Sequence, residues 1–155
     1  MMRILPNILG LTLVLACSVS GWAQFPEKGY WRAASNTAAS ITGDITLSSS
    51  KININFTSFL LAPARQLMPA EVSAVFDEAV DTVGPGSLYR LNIPASKRFL
   101  SHNTLCGSED THWMATYVAG KTLRVAFFSG DDVPTLTFEK MQNSTELCGT
   151  YTIVR

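Results

Sequence analysis

The sequence predicts a mainly β, single-domain protein: an antiparallel β-barrel or sandwich with one short helix and one disulfide. Three observations predict it. Apolar and polar residues alternate over successive short runs, the period of strands buried on one face. Gly, Asn, Asp and Ser recur between those runs at the spacing of hairpin turns, which favours a barrel or sandwich over a parallel sheet. Two cysteines, Cys106 and Cys148, sit in the same Leu-Cys-Gly context and bracket the clearest of the alternating stretches.

The first 23 residues read as a signal peptide. Arg3 gives a positive start, Ile8 to Val19 an apolar run, and Gly21-Trp22-Ala23 a cleavage site of small residues around one large one. The run is short for a membrane span, and Pro6, Asn7 and Gly10 would interrupt a buried helix. A second processing route competes. Val14-Leu15-Ala16-Cys17 resembles a bacterial lipobox, in which acylation of Cys17 would tether the protein to a membrane surface. The localisation expected is therefore periplasmic or secreted, with a membrane-anchored lipoprotein as the alternative. Either route leaves Cys106 and Cys148 as an even number in an oxidising compartment, which favours their pairing. Such a bond closes a loop of about forty residues and stabilises by roughly 3–4 kcal/mol in the chain-entropy model.

Charge excludes one class of partner. Lys+Arg and Asp+Glu each number 12, and removal of Arg3 leaves the mature chain near neutral. The longest basic cluster is Lys97-Arg98, far from the footprint that nucleic-acid binding requires.

Residues 24–28 form a leader and 29–155 the β-rich domain. Tyr30-Trp31-Arg32-Ala33 is a first strand. Ile41 to Leu47 and Lys51 to Thr57 read as a hairpin joined by Ser48-Ser49-Ser50, with Ile52, Ile54 and Phe56 inward and Asn53 and Asn55 in water. Gly43 inside the first of these marks a bulge or a close backbone approach. Pro69 at a first helical position, Glu71 in the first turn and Val72, Val75, Phe76 and Ala79 at helical spacing predict one helix over about 69–80. Pro63 to Leu67 reads as a further short turn, and Ala95 to Leu100 as a helical turn.

Leu88 to Ile93 returns to strand, with Tyr89, Leu91 and Ile93 on one face. His112 to Val118 puts Trp113, Ala115 and Tyr117 opposite Met114 and Val118. Leu123, Val125 and Phe127 share a face of the next strand. Thr135 to Glu139 continues the meander with Leu136 and Phe138 inward, and Leu147 to Val154 closes it.

Two resemblances accompany these patterns. Ile41-Thr42-Gly43-Asp44-Ile45, Asn103-Thr104-Leu105-Cys106-Gly107, Phe127-Phe128-Ser129-Gly130 and Leu147-Cys148-Gly149-Thr150-Tyr151 together resemble a group of small exported bacterial proteins of unknown function. That resemblance implies an envelope or secreted protein and carries over no catalytic residue. Gly29-x-Trp31 resembles the first-strand motif of lipocalin-type barrels.

Catalytic chemistry finds few candidates. His102 and His112 flank Glu109 and Asp110, but their spacing is not that of a metal site. No serine lies in Gly-x-Ser-x-Gly, and paired cysteines leave no thiolate. Asp131-Asp132 could act as paired carboxylates, yet beside Gly130 they are more simply turn residues. The sequence calls for no cofactor and no metal.

Binding is the leading reading. Trp113 and Phe128, on strand faces that a one-sided sheet would leave polar, and Asp131 and Asp132, in an adjacent loop, are the candidate binding residues. The two aromatics are either covered by the helix, line a cavity, or meet a partner. The function expected is an exported module that recognises a protein partner, one form being an inhibitor of a foreign enzyme. The alternative is a carrier of a small apolar ligand in a barrel cavity; an enzyme with a composite site ranks third.

Overall fold

A computed structural model describes residues 25–155. The signal peptide and Cys17 lie outside the described residues. Nine strands form one antiparallel sheet: β1 (Gly29–Ala33), β2 (Ile45–Leu47), β3 (Lys51–Ile54), β4 (Thr57–Leu60), β5 (Ala62–Leu67), β6 (Gly86–Ile93), β7 (Thr111–Ala119), β8 (Thr122–Phe128) and β9 (Leu147–Val154). Helix α1 spans Pro69–Phe76 and α2 spans Phe138–Gln142.

Strand order is β4-β3-β2-β1-β9-β8-β7-β6-β5. Its two ends, β4 and β5, are consecutive in the chain and separated by Leu61 alone. The sheet is therefore rolled until its edges meet at one bend, and the hydrogen-bond ladder stays open there. Nearly every strand lies beside its sequence neighbour, and the unclosed sheet fits the expected barrel or sandwich alike.

The alternation seen in the sequence has a physical counterpart on the two faces. One buried cluster joins Trp31, Ile45, Ile52, Ile54, Leu91, Met114, Leu123, Phe127 and Ile153, so β1–β3 and β6–β9 all point into the same interior. A second lies outside β6–β8, where Val72, Val75 and Phe76 of α1 cover Leu88, Trp113, Ala115, Tyr117, Ala126 and Phe128. The strand faces at β6–β8 are apolar on both sides because each side meets a different layer.

Helix α1 starts as its sequence predicts. Pro69 takes the first position, and Glu71 Oε2 accepts the Met68 N–H at 2.9 Å. The Arg65 guanidinium forks onto the same carboxylate at 2.7 and 2.9 Å and holds it below the usual carboxylate range. The helix ends at Phe76 rather than near residue 80. Asp77 adopts the left-handed conformation (φ 54°) and its N–H bonds to Ser73 O, so it stops the helix before Ala79.

Other segments differ from expectation. The strand expected from Ile41 begins at Ile45; Ala38–Thr42 is instead a π-helical turn, closed by Gly43 at φ 61°. Pro63 to Leu67 belongs to β5, an end strand of the ladder, where a residue without an N–H is tolerated. The helical turn expected over 95–100 is a short 3-10 turn, Leu100–His102. The strand expected over 135–139 does not form. Thr137 accepts the Lys140 N–H and starts α2, which leaves Leu136 buried and Phe138 exposed.

The disulfide forms between Cys106 and Cys148, with Cα atoms 4.9 Å apart. It ties β9 to the loop ahead of β7. At the chain's other end, Arg155 donates to Pro26 O at 2.6 Å and lies 4.1 Å above the Trp31 ring. The Trp31 indole N–H donates to Glu27 O at 2.7 Å. The expected leader residues Pro26 and Glu27 are thus fastened to β1 and to the C-terminus.

Two interior phenols make the fold sensitive to alkali. Burial pushes both Tyr89 and Tyr151 up to about 12, with the Glu27 carboxylate adding to the effect at Tyr89. The folded state holds these protons above the ordinary value of 10, so stability present below that pH is lost as pH rises through 12. We expect tyrosinate absorbance from these two residues to appear together with loss of near-ultraviolet circular dichroism, in one step. Their ionisation with the dichroism intact would contradict the packing.

Candidate functional site

The outer face of β1–β4 is unlike that of β6–β8: α1 does not cover it. Register places Tyr30, Thr46, Asn53 and Ser58 in one row across the four strands. Their sequence neighbours Trp31, Ile45 and Ile54 form the apolar row beneath. The polar row floors a concavity of about 670 Å³ whose walls include Asp44, Phe56 and Leu100.

Hydrogen bonds fix the floor. Asp44 Oδ1 accepts the Ala33 N–H at 2.9 Å, and the Tyr30 hydroxyl donates to Oδ2. The Tyr30 hydroxyl and then the Ala33 amide hold the Asp44 carboxyl below its ordinary range; the same bond raises the phenol. Ser58 donates to Asn53 Oδ1. The polar groups are thus partly matched to one another, while Tyr30 remains 56% exposed.

The rim is strained. Among the described residues five non-glycine positions have positive φ: Asn55, Phe56, Asp77, Ser101 and His102. Asp77 is the stop of α1. Asn55 and Phe56 line this concavity, and Ser101 and His102 follow Leu100, which lines it too. Asn55 (φ 46°) and Phe56 (φ 63°) are the two-residue loop between β3 and β4, a turn that needs positive φ at both places and usually takes glycine at the second. Phe56 is fully exposed there. Ser101 (φ 53°) and His102 (φ 61°) follow Leu100 in the wall of the concavity. That wall is braced by Asn103, whose amide donates to Ser40 O at 3.1 Å, and by the fit of Gly43 against Leu100, where a Cβ would lie 3.0 Å from Leu100 Cδ1. Each strained residue costs on the order of 1–3 kcal/mol, and such costs cluster at functional sites.

The residues singled out from sequence fall elsewhere. Phe128 is fully buried in the outer cluster that α1 shares with Leu136, and Trp113 is nearly so, its indole N–H directed to Asp131 O at 3.4 Å. Neither presents a ring to a partner, because the second face of β7 and β8 is packed rather than open. Asp131 fastens its own loop: its carboxylate lies 3.2 Å from His112 Nε2, and its carbonyl accepts from Arg90 at 3.0 Å. Asp132 is exposed beside it. The four lie together, Trp113 opposite Phe128 across β7 and β8 and bonded to Asp131 O, but only the two aspartates reach the surface.

Metal-binding groups do not gather either among the described residues. Among the described residues no three His, Cys, Asp or Glu side chains converge. Asp110 is spent on the Ala95 N–H at 2.7 Å, and His112 pairs with Asp131. No helix among the described residues is long and apolar enough to cross a membrane.

The chain matches no family model, no curated protein and no solved structure.

Sequence reasoning placed Phe56 on the inner face by extending the alternation of β3 two residues too far. One signal was available: Asn55 is a turn residue.

Proposed function

We propose that the protein is an exported binding module that recognises a protein partner through the outer face of β1–β4. One observation carries this reading: Phe56, a fully exposed aromatic held at positive φ where glycine is the easy choice, stands over a concavity floored by hydrogen-bonding side chains. An exposed ring contributes nothing to the core, so its presence at a strained position points to use outside the fold. Tyr30, 56% exposed, and Leu60, 75% exposed, extend the same aromatic and aliphatic character across the face. Aromatic anchors among satisfied polar groups are the composition of interface centres.

Export, the periplasmic or secreted setting, and kinship with small exported bacterial proteins belong to the same proposal. They are supported by the N-terminal pattern and by a disulfide suited to an oxidising compartment. What weighs against a carrier of apolar ligands is the interior, where Trp31, Phe99, Met114, Phe127 and Tyr151 are all buried in one cluster.

The test compares the mature chain with Phe56→Gly as bait in envelope extract. We expect a saturable protein partner on the parent chain and its loss, by about tenfold or more in affinity, on the variant. Equal capture by both, or no saturable partner at all, would sink the reading.

A further inference from the structure

A second concavity, of about 400 Å³, lies between the 25–27 stretch, β5 and the start of β6. Its walls are largely apolar, with Phe25, Pro63, Pro85 and Val118 among them. Glu27 belongs to the same lining, yet it is only 3% exposed. Its Oε1 accepts the hydroxyl of Thr116, itself fully buried, at 2.9 Å. Its Oε2 is buried and has no hydrogen-bond donor among the described residues.

A buried carboxylate oxygen without a donor is costly, and a buried carboxylate without a cation more so. Nearby cations are committed elsewhere. Arg65, on the rim of the concavity, forks onto Glu71. Arg155 bonds to Pro26 O and stacks on Trp31, and Lys28 lies over the Phe25 ring at 5.4 Å. The Tyr89 phenol beside the carboxylate is kept neutral by burial and by that negative charge. Glu27 thus lines the concavity with a buried carboxylate that lacks one donor, beside apolar walls of the size that hold small ligands, and a donor reaches Oε2 only where the lining gives way.

We infer that this concavity binds a small organic cation, whose ammonium group donates to Glu27 Oε2 and whose aliphatic body packs on Phe25, Pro63, Pro85 and Val118. The site is separate from the β1–β4 face, and either reading stands or falls without the other. The competing account is a concavity that takes small molecules with no preference for a cation.

The two accounts separate on a pair of probes nearly equal in shape. The mature chain is titrated with n-butylammonium and, separately, with 1-butanol, following amide and methyl chemical shifts. We expect n-butylammonium to saturate, to shift Gly86 and Val118, and to bind at least about tenfold more tightly than 1-butanol. Glu27→Gln should abolish that preference while circular dichroism shows a folded chain. Equal binding of the two probes, no saturation, or shifts confined to other regions would overturn the inference, as would an unchanged preference in folded Glu27→Gln. Should Glu27→Gln fail to fold, the two-probe comparison on the parent chain decides alone.

Discussion

Gly86→Ala is expected to destabilise the protein by about 3 kcal/mol, a fall of roughly 10–15 °C in Tm for a domain of this size. A Cβ at Gly86 would lie 2.3 Å from the carbonyl oxygen of Thr116 and 3.0 Å from Val72 Cγ2. The first contact is backbone of β7, the second is α1, and neither can turn aside like the end of a flexible side chain. Gly86 therefore sets how closely β6, β7 and the helix approach. The control is Gly84→Ala, where a Cβ meets nothing within 4 Å, and which should leave Tm nearly unchanged. Equal tolerance of both substitutions would mean that β6 packs less closely than described.

Removal of the disulfide, as Cys106→Ala with Cys148→Ala, should cost about 4 kcal/mol. The bridge spans 42 residues, and the segment it closes contains β7, β8 and α2. Its effect lies mainly in the unfolded chain, whose freedom it restricts. Locally it also pins the start of β9, a strand that holds β8 on one side and only two residues of β1 on the other. Urea unfolding monitored by tryptophan fluorescence measures the loss. A cost below about 1 kcal/mol would contradict the bridge as a main fastening.

Much of the fold was legible because much of it is alternation. Tyr89, Leu91 and Ile93, or Leu123, Val125 and Phe127, share a face in the structure as their spacing requires. The N-terminus of α1 was legible too, since Pro69 and Glu71 act locally. What could not be read were places where one local signal defeats another. Thr137 caps α2 across an alternating run, and Asp77 ends α1 by adopting a conformation usually left to glycine. The covered outer face of β7 and β8 explains why Trp113 and Phe128 looked available: their period marks them as facing away from the interior, but not what lies over them. The β1–β4 concavity was hidden for a different reason. Tyr30, Thr46, Asn53 and Ser58 meet only through three strand registers, which no local pattern reveals.

The central claim is that Phe56 is held at the rim of that concavity for a partner and not for the fold. The most direct measurement is the thermal stability of Phe56→Gly. Glycine relieves the strain at φ 63° and forfeits no buried surface, since the ring is fully exposed. After the entropy that glycine adds to the unfolded chain, a net gain of about 0.5–1 kcal/mol remains, so Tm should rise by a few degrees. A fall in Tm would show that Phe56 supports the fold, and would contradict the account.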